Sequence, residues 1–201
     1  MTLYEVALFV HIVGVIGAFV GLGIEWEGRA RLRKADSVEQ VAGFERLGGT
    51  LRILQTISGV AILAAGLFMT LSVWGFEPWI LTGLTGLVLL VVLGAITGQR
   101  TATLMSADEG SSVPAAGRAL RDPFIRASLH LRTGIALGVV LVMVTKPGVA
   151  GALATMGVAV GISLTPSVRA SFLRRRPDRA TSQEDALRAR SSADERIGRA
   201  R

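Results

Sequence analysis

Five apolar runs, 3–24, 51–74, 79–98, 127–145 and 148–165, divide the chain, and 21 of its 22 Lys and Arg residues fall on one side of them. Each run is long enough, or nearly so, to cross a hydrocarbon core of about 30 Å at about 1.5 Å per helical residue. Lipid offers the backbone no hydrogen-bond partner, so such runs fold as helices that satisfy themselves. The basic residues come in three groups: Arg29, Arg31, Arg33, Lys34, Arg46 and Arg52; then Arg100, Arg118, Arg121, Arg126 and Arg132; then ten arginines from Arg169 to Arg201. The turns on the other side hold Lys146 alone. Lys and Arg collect on the cytoplasmic side of membrane proteins, which puts the N-terminus outside and the C-terminal tail inside. The expected fold is all-α: a polytopic transmembrane bundle of five spans. Residues 1–172 form the bundle. Residues 173–201 form a basic tail with too few large apolar residues to offset its ordering entropy, so disorder is expected there.

Composition narrows the function classes. Half of the residues are apolar and the mean hydropathy is +0.51, so no separate soluble domain fits beside the spans. A net charge of +7 and a pI near 11.3 raise the question of nucleic acid. Charge that flanks spans is instead topological and draws the inner face to anionic lipid, so the bilayer is the expected partner and nucleic acid is not. The chain has no cysteine, which excludes disulfides, iron–sulfur clusters and thiolate metal sites. Twenty Arg against two Lys, with abundant Ala and Gly, fits a GC-rich bacterial genome and hence a bacterial cytoplasmic membrane. No positive region precedes the first run, so it reads as a retained anchor rather than a cleaved signal. No nucleophile elbow, phosphate loop, zinc-protease helix or nucleotide fingerprint is present, so an enzyme is not expected and no cofactor is required.

Local signals fix the ends of the spans. Tyr4, Trp26, Trp74, Phe76 and Trp79 fall where amphipathic rings sit at headgroup level. Residues 75–78 and Lys146-Pro147-Gly148 each predict a tight hairpin. Ser37-Val38-Glu39-Gln40 has the form of a capping box and predicts a short interfacial helix, while residues 106–123 read as a loop. Four glycine pairs one turn apart, Gly17/Gly21, Gly94/Gly98, Gly134/Gly138 and Gly157/Gly161, lie in four different spans and predict close helix packing. Ser58-Gly59-Val60-Ala61-Ile62 matches Thr133-Gly134-Ile135-Ala136-Leu137, each followed at equal distance by Thr70 or Thr145. Spans two–three and four–five can therefore be read as parallel copies with span one added.

Polar residues inside the bilayer are costly, which makes each a functional candidate. His11 lies eight residues into the first span, about 12 Å down. Its leading reading is a neutral imidazole bonded to a neighbouring helix, and its alternatives are a haem or metal ligand or a proton relay. His130 lies near the inner edge of span four, at the depth of Gln55 in span two if the repeat holds. The two histidines sit at different depths of a core about 30 Å thick, which disfavours one shared haem iron. Met69, Met143 and Met156 share the outer half with His11, a soft set able to hold Cu(I), although such methionines commonly fill space. Glu25, Arg52, Gln55, Gln99, His130 and Arg132 converge near the inner face. They read first as snorkelling, paired helix ends and second as a cytoplasm-facing vestibule.

Leu8-Phe9-Val10-His11-Ile12-Val13-Gly14, the stretch 129–137 and Thr145-Lys146-Pro147-Gly148 together resemble small bacterial integral-membrane proteins loosely similar to the membrane part of copper-resistance D proteins. The resemblance is best in spans one and four and does not reach the tail. It implies an inner-membrane helical bundle and a link to copper or haem. The resulting expectation is a non-enzymatic membrane protein, an accessory or small transport subunit working as a homo-oligomer or beside a partner subunit. The rivals are a haem- or copper-binding protein using His11 and a scaffold acting through the basic tail. The charge split yields a direct test of topology. A reporter fused after Arg201 is expected to be active in the cytoplasm, and periplasmic activity of that fusion would refute the assignment.

Overall fold

A computed structural model of the chain describes residues 1–33, 38–106 and 122–174; of residues 38–42, 44, 45, 105 and 166–174 it describes the backbone. Among the described residues 93% are helical and none is in a strand. The elements are α1 (Leu3–Leu32), α2 (Val38–Met69), α3 (Pro78–Ser106), α4 (Pro123–Thr145) and α5 (Val149–Arg174). Four helices, Leu3–Leu32, Arg46–Trp74, Pro78–Leu104 and Pro123–Thr145, are long and apolar enough to cross a membrane, and Val149–Thr165 is a shorter apolar helix. The chain is thus all-helical and multi-pass. Two compact units divide at Leu164: Met1–Leu164, and Thr165–Arg201, which is helical as far as it is described.

The helix ends follow local chemistry. Thr2 and Glu5 form a reciprocal capping box on α1, with Glu5 N–H donating to Thr2 Oγ1 (3.3 Å) and Thr2 N–H donating to Glu5 Oε2 (2.9 Å). This signal, one turn from the N-terminus, was legible in the sequence and is absent from the reading above. The predicted interfacial helix is instead the start of α2, which runs unbroken from Val38, while Ser37 lies outside the described residues. The last turn before the first hairpin, Thr70–Trp74, is widened so that Gly75 N–H reaches the Thr70 carbonyl (2.7 Å). Gly75 then reverses the chain at φ +70°, a conformation that favours glycine. Asp122 caps α4 by accepting from Phe124 and Ile125 N–H, with Pro123 at the first helical position.

The packing is small and polar inside, large and apolar outside. Ile53, Ile57 and Val60 of α2, Val88 and Val91 of α3, and Leu153, Val158 and Ile162 of α5 are exposed. Ser58, Thr70, Thr97, Ser128 and Arg132 are buried. The hydroxyls of Thr70, Thr97 and Thr133 donate to the carbonyl four residues earlier, so each is satisfied within its own helix. In water the exposed aliphatic faces would be an aggregation hazard; against lipid they are the outer surface.

Glycines decide which helices meet. Gly14, Gly17 and Gly21 line one face of α1 against Ile62, Ser58 and Gln55 of α2. Gly83 and Gly86 of α3 receive Met143 and Val139 of α4. Gly134 and Gly138 of α4 receive Ser163, Ala159 and Met156 of α5. Gly94 lies under the Arg132 guanidinium. A β-carbon at Gly98, Gly157 or Gly161 meets no atom within 4 Å, so within this chain those members of the predicted pairs are not at a close helix crossing. Spacing assigns glycines to a face, but it does not supply the neighbour that face meets.

The two hairpin ends are clasped together. Lys146, at φ +45°, carries its Nζ 4.0 Å over the Trp74 ring and 5.4 Å over Trp79, and the two indoles meet edge to face at 5.6 Å. Trp74 Nε1 donates to the Tyr4 hydroxyl (3.3 Å), which ties in α1. The α4–α5 seam yields a stability test. Replacing Gly134 and Gly138 with Leu drives side chains into Ser163 and Met156 and is expected to cost about 1–3 kcal/mol in detergent melts, whereas Gly157→Leu should melt like the parent. Equal melting of all three proteins would show that the seam is not closely packed.

Candidate functional site

The most unusual chemistry lies where α1 crosses α4. Glu25 of α1 accepts from Arg132 Nη1 of α4 through both oxygens, at 3.1 and 2.8 Å, and from Arg29 Nη2 of its own helix at 2.7 Å. The Glu25, Arg29 and Arg132 side chains are only 18%, 14% and 10% exposed. One carboxylate therefore serves two guanidiniums in a largely desolvated setting, and the set keeps a surplus positive charge. Arg132 Nε is buried and, among the described residues, has no hydrogen-bond partner.

Neighbouring residues hold this set in place. Arg29 Nη1 donates to the Ile125 carbonyl at 2.7 Å, spanning from α1 to the first turn of α4. Trp26 Nε1 donates to Thr133 Oγ1 at 3.1 Å, and the Trp26 ring meets His130 edge to face at 4.8 Å. Trp26 is thus a part-buried bolt between two helices rather than a ring at headgroup level. Leu22, Leu129 and Ala136 form the apolar floor, with Phe19, Trp26 and Leu90 packed on it. Toward the end of α3, Thr97 donates to the Leu93 carbonyl, and its oxygen is 2.6 Å from Ser128 Oγ, so Ser128 is the donor to Thr97.

Asp122 closes this end. Its Oδ2 accepts from Arg100 Nε at 2.9 Å, and the Arg100 guanidinium lies 5.3 Å from the Phe124 ring centre. Burial works against the Asp122 carboxylate, but the Ile125 N–H, Arg100 and the Phe124 N–H outweigh it and hold the group below its ordinary range.

The structure brings together only part of the predicted inner cluster. Glu25, Arg132 and His130 meet. Gln55 instead faces α1 beside Gly21 and donates to the Ala18 carbonyl at 3.4 Å, while Arg52 and Gln99 are exposed and stand apart from the ion pair. Arg29, Trp26 and Thr133 were missed as members. Glu25 and Arg29 stand at the i,i+4 spacing of a helical ion pair, a signal the sequence did contain.

The predicted soft-ligand set is distributed over different seams. His11 sits between α1 and α2, with Nδ1 3.1 Å from the Ile62 carbonyl and its ring against Gly66. A carbonyl only accepts, so Nδ1 carries the proton. Met69 is buried on α2, whereas Met143 and Met156 pack against glycines of α3 and α4. Among the described residues no three His, Cys, Asp or Glu side chains come together in a metal-holding group.

Comparison with known proteins finds no matching family model, curated protein or solved structure. The candidate site therefore stands on its geometry. Glu25→Gln removes the counter-charge of two guanidiniums and is expected to cost about 3–5 kcal/mol, the usual penalty for breaking a buried pair from one side. Adding Arg132→Met to that variant should recover part of the loss. Strict additivity of the two single effects in detergent melts would show that the groups do not interact.

Proposed function

We propose that the chain is a five-span protein of a bacterial cytoplasmic membrane, N-terminus outside and tail inside, working without catalysis as an accessory or small transport subunit. The observation that supports this reading is the Glu25–Arg132–Arg29 set. Ionisable groups kept inside a helical bundle are costly, and they are typical of pathways and of contacts on which a membrane protein's work depends. A non-enzymatic subunit fits a site that has charge, an indole and a hydroxyl but no nucleophile beside a base. The parallel-repeat reading gains support from α1. Gln55 and Ser58 of α2 face α1, and so do His130 and Thr133, their counterparts in α4. Native mass spectrometry of the chain gently extracted from its own membrane tests the proposal. A stoichiometric complex with a second membrane polypeptide is expected, and a bare monomer under every mild condition argues against a subunit role.

The second reading, haem or copper binding through His11, is favoured by one feature. With Nδ1–H donating to the Ile62 carbonyl, Nε2 is left as the ligating nitrogen, the usual arrangement for a metal-bound imidazole. It also accords with the resemblance to copper-resistance D proteins. The third reading, a scaffold acting through the basic tail, rests on residues outside those described. If His11 only packs, His11→Gln is expected to be tolerated and His11→Leu to cost about 0.6 kcal/mol, the average for a hydrogen bond in a membrane interior. A parent that purifies coloured or metal-loaded, with a His11→Gln variant that is colourless and metal-free, would establish the second reading by absorption spectrum and metal analysis.

A further inference from the structure

A hollow of about 100 Å³ lies beside the ion pair, lined by Trp26, Arg29 and Arg33 of the α1 end and by Arg126, Leu129 and His130 of α4. That is roughly three times the share of one water in the liquid, about 30 Å³. Three guanidiniums and an imidazole converge on it, with an indole as one wall. Arg29 has already committed Nη1 to the Ile125 carbonyl and Nη2 to Glu25. Arg33 and Arg126 have no ion pair among the described residues. The nearby carboxylate, Glu25, is taken by Arg29 and Arg132. Two uncommitted guanidiniums thus face a small walled space with no acid left to neutralise them.

We propose that this hollow binds the phosphate of an anionic glycerophospholipid headgroup. A phosphate offers several acceptor oxygens to guanidinium forks, and such pairs are charge-assisted and geometrically specific. The lipid is favoured over a soluble anion by where the hollow lies. It is at the end of the apolar part of α1 and near the start of α4, flanked by Leu22 and Leu129, where headgroup phosphates are the concentrated anion. Arg33 and Arg126 are the grasping residues, and Trp26 and His130 set the wall against which the headgroup rests. The proposal rests on the membrane-spanning reading, but binding in detergent does not depend on which way the chain is inserted. Topology and lipid recognition therefore fail separately.

The test uses the full chain in a neutral detergent, with melting followed by circular dichroism during titration with phosphatidylglycerol, phosphatidylcholine or inorganic phosphate. Phosphatidylglycerol is expected to raise the melting temperature saturably, and the other two are not. Arg33→Gln with Arg126→Gln should keep the parent's helical signal and weaken the phosphatidylglycerol response about tenfold or more, as the loss of two charge-assisted contacts predicts. Arg46→Gln with Arg52→Gln removes the same charge from exposed positions on α2 and should leave the response unchanged. Equal loss in both double variants would reduce the effect to general charge and overturn the site. So would an equal response to phosphatidylcholine. A response to inorganic phosphate matching that to phosphatidylglycerol would assign the hollow to a soluble anion and overturn the lipid assignment.

Discussion

The contact between Glu25 and Arg132 organises the bundle. It joins α1 to α4, and every other helix is attached to one of those two. The glycine face of α1 carries α2, while α4 carries α3 on one side and α5 on another. Between lipid-solvated helices there is little hydrophobic drive, so close packing and polar contacts must decide which helices meet. A carboxylate shared between two guanidiniums is directional as well as strong. It sets the rotation of α1 and α4 about their axes, and with it the position of Trp26 against Thr133 and of Arg29 against Ile125. The pair need not be a net source of stability; its value lies in making other pairings of the same helices leave charge unpaired.

The helices were legible because the membrane rule is strict. A long apolar run with its charges at the ends has one way to satisfy its backbone. The site was only partly legible, for a different reason. Trp26 and Thr133 are 107 residues apart, and so are Glu25 and Arg132. Pairings of that range follow from the rotation of each helix, and an apolar run that is hydrophobic all round carries little record of its rotation. The glycines make the same point. Gly17 and Gly134 have the same spacing to their partners as Gly157, yet the first two lie in seams while a β-carbon at Gly157 would meet nothing within this chain.

His11 and the inner set show two ways of keeping a polar side chain inside an apolar bundle. His11 borrows a backbone carbonyl already used by its own helix, which asks for one donor and the small Gly66 beside it. Glu25 and Arg132 need a matched partner on another helix and a second cation to complete the arrangement. The first solution is local to one seam. The second couples seams, so a change in one of its members is felt by α1, α3 and α4 together.

Lys146, the exception to the charge split, closes the account at the other end. Its ammonium rests over Trp74 with Trp79 beside it, and Trp74 in turn holds Tyr4. A cation lodged on indole faces is withdrawn from the lipid phosphates that would otherwise compete for it, so this lone charge does little to argue for the opposite insertion. It also behaves as a rivet: α1, the end of α2, the start of α3 and the end of α4 are fastened at one level. A bundle riveted at one end and held by exchangeable ion pairs at the other can spread only at the second, in the manner of a clothes-peg. Any breathing of these helices therefore opens the arginine-lined end first.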